Sequence, residues 1–517
     1  MCLPARRAGA ADSLLAWHHG LVPLKIPSRS STSPARAALP RNERLLLLGA
    51  VAVITIVALE NLAVVTAMPT VARDLAAPTW YAVPLGVPIA TQLMSTAIAG
   101  PWADRFGARS PLLVGSCLLP AGLALAGLAP NMPMLVVGRA LQGLGGGLLI
   151  VPLYVLVGKL VAPARRSRFF AAFSAAWVVP SLVGPWVAGV IADSLGWRWI
   201  FLGITPLFAV AALAFLAFLS QLDLEEPPAQ PTEAAAPGAA TEPQLPPGLR
   251  PRAEESALFA RLSARRVAPA ALAAGIGAGA LLVLSTMLKD AGPAALTVPA
   301  PVRLLIAGLA LGAVGVGAVR FLPAGTWTMR PVLPALVAQR GLINAGFIAT
   351  EAYIPLMLTE NGWSSSQAGL LLTVGSAAWA VGAFLADRLA PGRQPQLLWQ
   401  GAVVMTLGVA GVAFGGMQLA QTWLLVTGWF VAGVGVGLTY PTQAVTCLAR
   451  VETAQHGKVS SALQMSEGVM NALALAGAGA AHTLLLHLGT PGQFVGVYTL
   501  CGLLTLTALV AGLRARP

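Results

Sequence analysis

Apolar residues gather into fourteen long stretches along the chain, separated by short polar segments. They cover about residues 45–68, 80–99, 111–128, 134–156, 170–191 and 199–218, then 267–287 and 304–319. The last six are 342–358, 368–386, 397–416, 423–440, 459–484 and 494–513. A helix needs roughly 20 apolar residues to cross a hydrocarbon core, so each stretch predicts one membrane span, the eighth being the shortest. Two segments break the pattern. Residues 1–41 are rich in Arg, Ser, Pro and Ala and lack the apolar run of a signal peptide, which predicts a disordered tail. Residues 222–258 are rich in Pro, Ala and Glu and cannot build a core, which predicts a linker.

Composition rules out a soluble enzyme. Of 517 residues 56% are hydrophobic and 10% charged, where a soluble domain carries about a quarter charged residues. The mean hydropathy is +0.76. The net charge of +13 would suggest nucleic acid in a soluble protein; here it tests topology. With both termini cytoplasmic, 27 of the 32 Lys and Arg fall on the cytoplasmic side, four on the other, and Arg139 inside a span. That split follows the positive-inside rule, and removing one span would invert it from there on. Cys2, Cys117, Cys447 and Cys501 show no metal or redox spacing. Neither a phosphate-binding loop nor a zinc motif occurs, so no cofactor or metal is expected.

The halves echo each other. Ala58-Leu59-Glu60 in the first span matches Ala349-Thr350-Glu351 in the ninth. Ala103-Asp104-Arg105 after the second matches Ala386-Asp387-Arg388 after the tenth, and the glycines of 143–147 match those of 433–437. The expected fold is an all-α integral membrane protein. It has two six-helix bundles in pseudo-twofold relation, residues 42–221 and 323–517, joined by a linker over 222–264 and an inserted two-helix hairpin over 265–322.

The loop after the second span, GPWADRFGAR, resembles the signature of the major facilitator superfamily through Gly100, Asp104, Arg105, Gly107 and Arg109. Trp102 stands for the usual Leu and Ala108 for a basic residue. The fourth span is similar to a family pattern through Arg139, Gln142 and Gly143. The fifth, PSLVGPWVAG, resembles the signature of the fourteen-span drug/proton antiporters through Pro180, Gly184, Pro185 and Gly189, with Ala188-Gly189 in place of a Gly pair. Glu60 and Val65 stand where that branch usually has Asp and Asn. The resemblance implies a cytoplasmic latch in the loop and a conformational role for the fifth span.

Charges inside a membrane are costly and tend to be functional. The chain has four: Glu60, Arg139, Glu351 and Glu467. Glu60 and Glu351 lie about 12 and 10 Å from the outer ends of equivalent helices at 1.5 Å per residue. A carboxyl held away from water takes up a proton more readily, the need of a proton-coupled step. Structural hydrogen bonding between helices is the competing reading. Arg139 lies at a depth close to Glu60, so a pair is expected, and this marks Glu60 as the favoured coupling site. Glu467 shares a helix face with Gln464 and Asn471, which either lines a cavity or makes a helix contact. Gln92, Gln142, Asn344, Tyr353, Tyr440 and Gln443 are further cavity candidates, and His482 and His487 read as interfacial.

The expectation is therefore a proton-coupled secondary exporter of hydrophobic or amphipathic small molecules, in the cytoplasmic membrane. It would contact lipid, substrate and protons, bind no nucleic acid, and act as a monomer. The alternatives are export of an endogenous lipid, glycolipid or metabolite, and a membrane-embedded transferase. The transferase is disfavoured because the outer acids Asp74, Asp193, Asp290 and Glu360 are scattered singly.

Overall fold

The computed structural model describes residues 39–221, 253–260, 262, 264–288, 298–389, 392–417, 421–452 and 455–516. Residues 1–38 and 222–252, most of the expected tail and linker, lie outside the described residues, as does Asp290. The described residues form helices and no strand. The first six are α1 (Arg41–Asp74), α2 (Val83–Phe106), α3 (Arg109–Gly127), α4 (Met132–Leu160), α5 (Pro163–Ser194) and α6 (Arg198–Ser220). A short α7 (Ala253–Ala260) precedes the hairpin α8 (Ala264–Thr286) and α9 (Ala300–Phe321). The last six are α10 (Leu333–Glu360), α11 (Ser365–Leu389), α12 (Gln394–Met417), α13 (Thr422–Ala449), α14 (His456–Leu485) and α15 (Val495–Arg514). Fourteen of these are long and apolar enough to cross a membrane, all but α7.

Local chemistry sets the boundaries. Asn131 caps α4, its Oδ1 accepting from the Met134 amide at 3.0 Å. Gly107, at φ +77°, ends α2 in the left-handed region where other residues are strained. Ser364 and Gln367 form a reciprocal capping box at the start of α11. The Gln367 amide donates to Ser364 Oγ (3.2 Å) and the Ser364 amide to Gln367 Oε1 (3.0 Å).

The two bundles repeat at the level of packing. In the first, α3 meets α4 through Gly122 on the Gly138 carbonyl and Gly115 on the Gly145 carbonyl. In the second, α12 meets α13 through Gly408 on the Gly428 carbonyl and Gly401 on the Gly435 carbonyl. A methyl at any of these first-named glycines would lie within 2.5–2.9 Å of that oxygen, so only glycine permits the approach. The α8–α9 hairpin packs at the seam of the bundles: Gly86 of α2 lies against Leu282, and Gly479 of α14 against Ser285. Most of α9 is exposed and apolar (Leu304, Leu305, Leu309, Leu311, Val316, Val319), the surface a hydrocarbon solvent accepts. The central α10 is the opposite, buried along almost its whole length.

Two expectations are corrected. The stretch 222–264 is not all irregular: residues 253–260 are helical, because Phe259 buries fully and Glu255 reaches Arg450 at 3.3 Å. The ninth span begins near Leu333, so Arg340, read from the sequence as a loop residue, lies within α10. Its charge is tolerated there because Glu467 pairs with it.

Candidate functional site

We call the end that carries Gly107 the near end and the end that carries residues 75–82 the far end. In the first bundle α4 presents Arg139, 2% exposed, toward α1. Its Nη1 donates to Glu60 and to Gln142 Oε1, and its Nε donates to the Pro84 carbonyl at 2.9 Å. Glu60 is also 2% exposed. The two charges neutralise each other inside a largely saturated set of hydrogen bonds.

The second bundle differs. The glycine contacts place Gly138-Arg139 of α4 opposite Gly428-Trp429 of α13, so a tryptophan stands where the first bundle has its arginine. Trp429 is fully buried, stacked on Phe347 at 4.6 Å between ring centres. Glu351 is 7% exposed and makes no hydrogen bond or ion pair to any described residue. Its cationic counterpart on α10 is Arg340, eleven residues earlier. At 100° per residue that is nearly the same helix face, but about 16 Å away along the axis. Arg340 serves a different acid: it pairs with Glu467, donates from Nη1 to the Tyr440 carbonyl (2.7 Å), and lies 3.0 Å above the Tyr440 ring centre. The Tyr440 hydroxyl completes the set on Glu467 Oε2 at 3.3 Å. The α10 face from Arg340 through Asn344 and Phe347 to Glu351 thus holds one closed ion-pair network and one free acid. Asn344 Oδ1 also has no partner among the described residues.

The other expected residues divide. Gln142 joins the Arg139 set, while Gln92 is half-buried beside Gly146. On α14 Gln464 is exposed and Asn471 buried, flanking Glu467. Tyr353 and Gln443 leave the cavity set. Tyr353 is fully buried between Tyr81 and His482, and Gln443 donates to Gln339 Oε1 at 3.0 Å in a helix contact. His482 is not interfacial but 2% exposed, its ring against Tyr353 and Phe494. At the near end Asp104, Arg105 and Arg109 are exposed, and Asp104 pairs with no described residue. Pro180, Gly184, Pro185 and Gly189 are buried within a continuous α5. Gly184 faces Leu59 of α1, and Gly189 faces Ser365 and Ser366 of α11. Arg340 was legible only indirectly: Glu467, an acid inside a span, requires a cation.

The profile described as Major Facilitator Superfamily matches residues 48–475 and 338–517. The chain belongs to the major facilitator superfamily. The multidrug transporter protein MdtP of Bacillus subtilis is 34% identical over 176 residues, 34% of this chain and 32% of that protein. The efflux pump FUS6 of Gibberella moniliformis is 29% identical over 220 residues, 42% of this chain and 38% of that pump. The matched segments span about a third of the length of these relatives. Among solved structures, the POT family transporter PepTSo superposes with a TM-score of 0.64 at 13% identity, covering 93% of this chain and 98% of that one. A D-xylose-proton symporter superposes at 0.60 with 15% identity, covering 92% and 98%. These superpositions establish the superfamily fold. The protein is a multi-pass membrane protein of a family of transporters.

Proposed function

We propose that this superfamily member is a proton-coupled exporter of hydrophobic or amphipathic small molecules, working by alternating access. The observation that carries the reading is the inequality of the two matched acids. Glu60 is held by Arg139, whereas Glu351 is buried with no countercharge among the described residues. Leaving a lone carboxylate in a dry site is expensive, so such a group is stable when protonated and must gain water or a cation to ionise. Glu351, rather than the Glu60 favoured by the sequence, therefore takes the proton. Substrate occupies the space between residues 42–221 and 323–517, which move as two bodies about it. The efflux names of the relatives support the direction of transport, and the scarcity of charges within the spans supports the substrate class.

In the proposed orientation the near end is cytoplasmic. A cysteine at Leu128, 64% exposed at the far end, should react with an impermeant thiol reagent in intact cells. One at Phe106, equally exposed at the near end, should react only after permeabilisation. Reaction of the Phe106 cysteine in intact cells would reverse the orientation. The function itself is tested by substrate-dependent proton flux in proteoliposomes, screened across drugs and extracted lipids. Flux with lipids alone would move the assignment to an endogenous lipid, and absence of any coupled flux would defeat proton coupling.

A further inference from the structure

Resting on the alternating-access reading, we propose that Asp193 is a positioning residue: it locks the far ends of the two bundles together, and its release accompanies opening there. Three side-chain features of α5 stand one turn apart, Pro185, Gly189 and Asp193, and so form one strip along the helix. The strip lies on the start of α11. Pro185 meets Gly369, and Gly189 meets the backbone of Ser365 and Ser366, contacts too close for a Cβ. At the end of the strip the Asp193 carboxylate accepts the Ser365 amide at 3.0 Å and the Ser366 amide at 2.8 Å.

A helix start leaves its first amides without partners inside the helix. In α11 the capping box takes the Gln367 amide and Ala368 bonds back to the Ser364 carbonyl (3.1 Å), which leaves the amides of Ser365 and Ser366. Those two are taken by an acid of the other bundle. The anion also sits where the helix dipole favours negative charge, so the cap is a charge-assisted bond between bundles.

Its neighbours strengthen the seam. Thr70 of α1 bonds Ser365 through hydroxyls at 3.2 Å, and the Tyr81 hydroxyl donates to the Ala352 carbonyl of α10 at 2.6 Å. Asp193 remains exposed, beside a polar cleft of about 310 Å³ lined by Thr70, Arg73, Thr359 and Trp363. Water there can replace the two amides when the seam parts. The opposite end is in the complementary condition, with Asp104 of the sequence motif pairing with no described residue. One acid is engaged at the far end while the other meets no described partner at the near end.

The test measures geometry, not transport. In full-length protein with its native cysteines replaced, spin labels at Leu128 and Leu488 report the far end, and labels at Phe106 and Leu389 the near end. All four positions are exposed. Asp193→Asn keeps the size but removes the charge and one acceptor. Ser365→Pro removes one amide from the other side, at the first helical position where proline is tolerated. Each should lower the closed-to-open ratio at the far end about tenfold, the scale of one charge-assisted bond. Distances at the near end should shorten in step. Unchanged far-end distances in both variants would overturn the lock. So would far-end widening without near-end shortening, which would mean mere loosening. Neither outcome depends on a substrate or a proton gradient, so the lock can fail while Glu351 coupling stands, and the reverse.

Discussion

Glu351→Gln should abolish uphill, proton-driven export while leaving substrate binding and the amount of folded protein unchanged. Gln has the size of a protonated Glu and can never ionise, so it imposes on the site the state in which no proton can be released. Because Glu351 has no partner among the described residues, the substitution breaks no hydrogen bond seen there. Its effect therefore separates chemistry from stability. In proteoliposomes with an imposed pH gradient the variant should retain exchange of substrate for substrate, which needs no net proton movement, and lose accumulation against a gradient. The pH dependence of substrate binding should flatten. Retained uphill transport would remove Glu351 from coupling and return the role to Glu60 or Glu467.

Arg139→Ala should produce the largest loss of stability of any single change considered. It leaves Glu60, 2% exposed, without its countercharge and strips the Pro84 carbonyl and Gln142 of a donor. Breaking a buried ion pair by deleting one partner costs about 3–5 kcal/mol, mostly because the remaining charge is stranded. Adding Glu60→Gln should recover a large part of that loss. A stranded carboxylate is the main cost, and the double variant has none. The check is the fraction of folded protein that survives heating in detergent, compared among the wild type, both single variants and the double variant. If the double variant is no better than Arg139→Ala alone, the pair does not hold α1 to α4. Transport should respond differently from stability: in the double variant the free acid of α10 is untouched, so coupling should survive where folding does.

The spans, the repeat and the near-end motif were legible because they rest on residue types at helical spacing. Fourteen apolar runs need no partner to be recognised, since the solvent around them is hydrocarbon. Glu60 with Arg139 was legible too, from two rare charges at one depth. What escaped were other features whose meaning depends on a neighbour distant in the chain. Arg340 marks the edge of an apolar run, and a run is what a sequence reading measures; only Glu467, contributed by another helix, makes it an interior residue. His482 looks like a histidine near a helix end until Tyr353 and Phe494 close over it. Asp193 read as one scattered outer acid, and its partners are backbone amides, which every sequence contains and none displays.

The sequence by itself determined that this chain is a helical membrane protein of two related halves, and identified four of the charges that lie inside it, with Arg340 missed. Burial in lipid forces helices, and the price of a buried charge makes each one conspicuous. The tertiary structure alone decided that Glu351 has no countercharge among the described residues and that Arg340 serves Glu467 instead. That outcome turns on a single exchange between equivalent positions, arginine in α4 and tryptophan in α13, brought to matching places by glycine contacts in each bundle. Pairing is a matter of a few ångströms between helices; depth along each helix could suggest Glu60 with Arg139 but not the partner of Arg340.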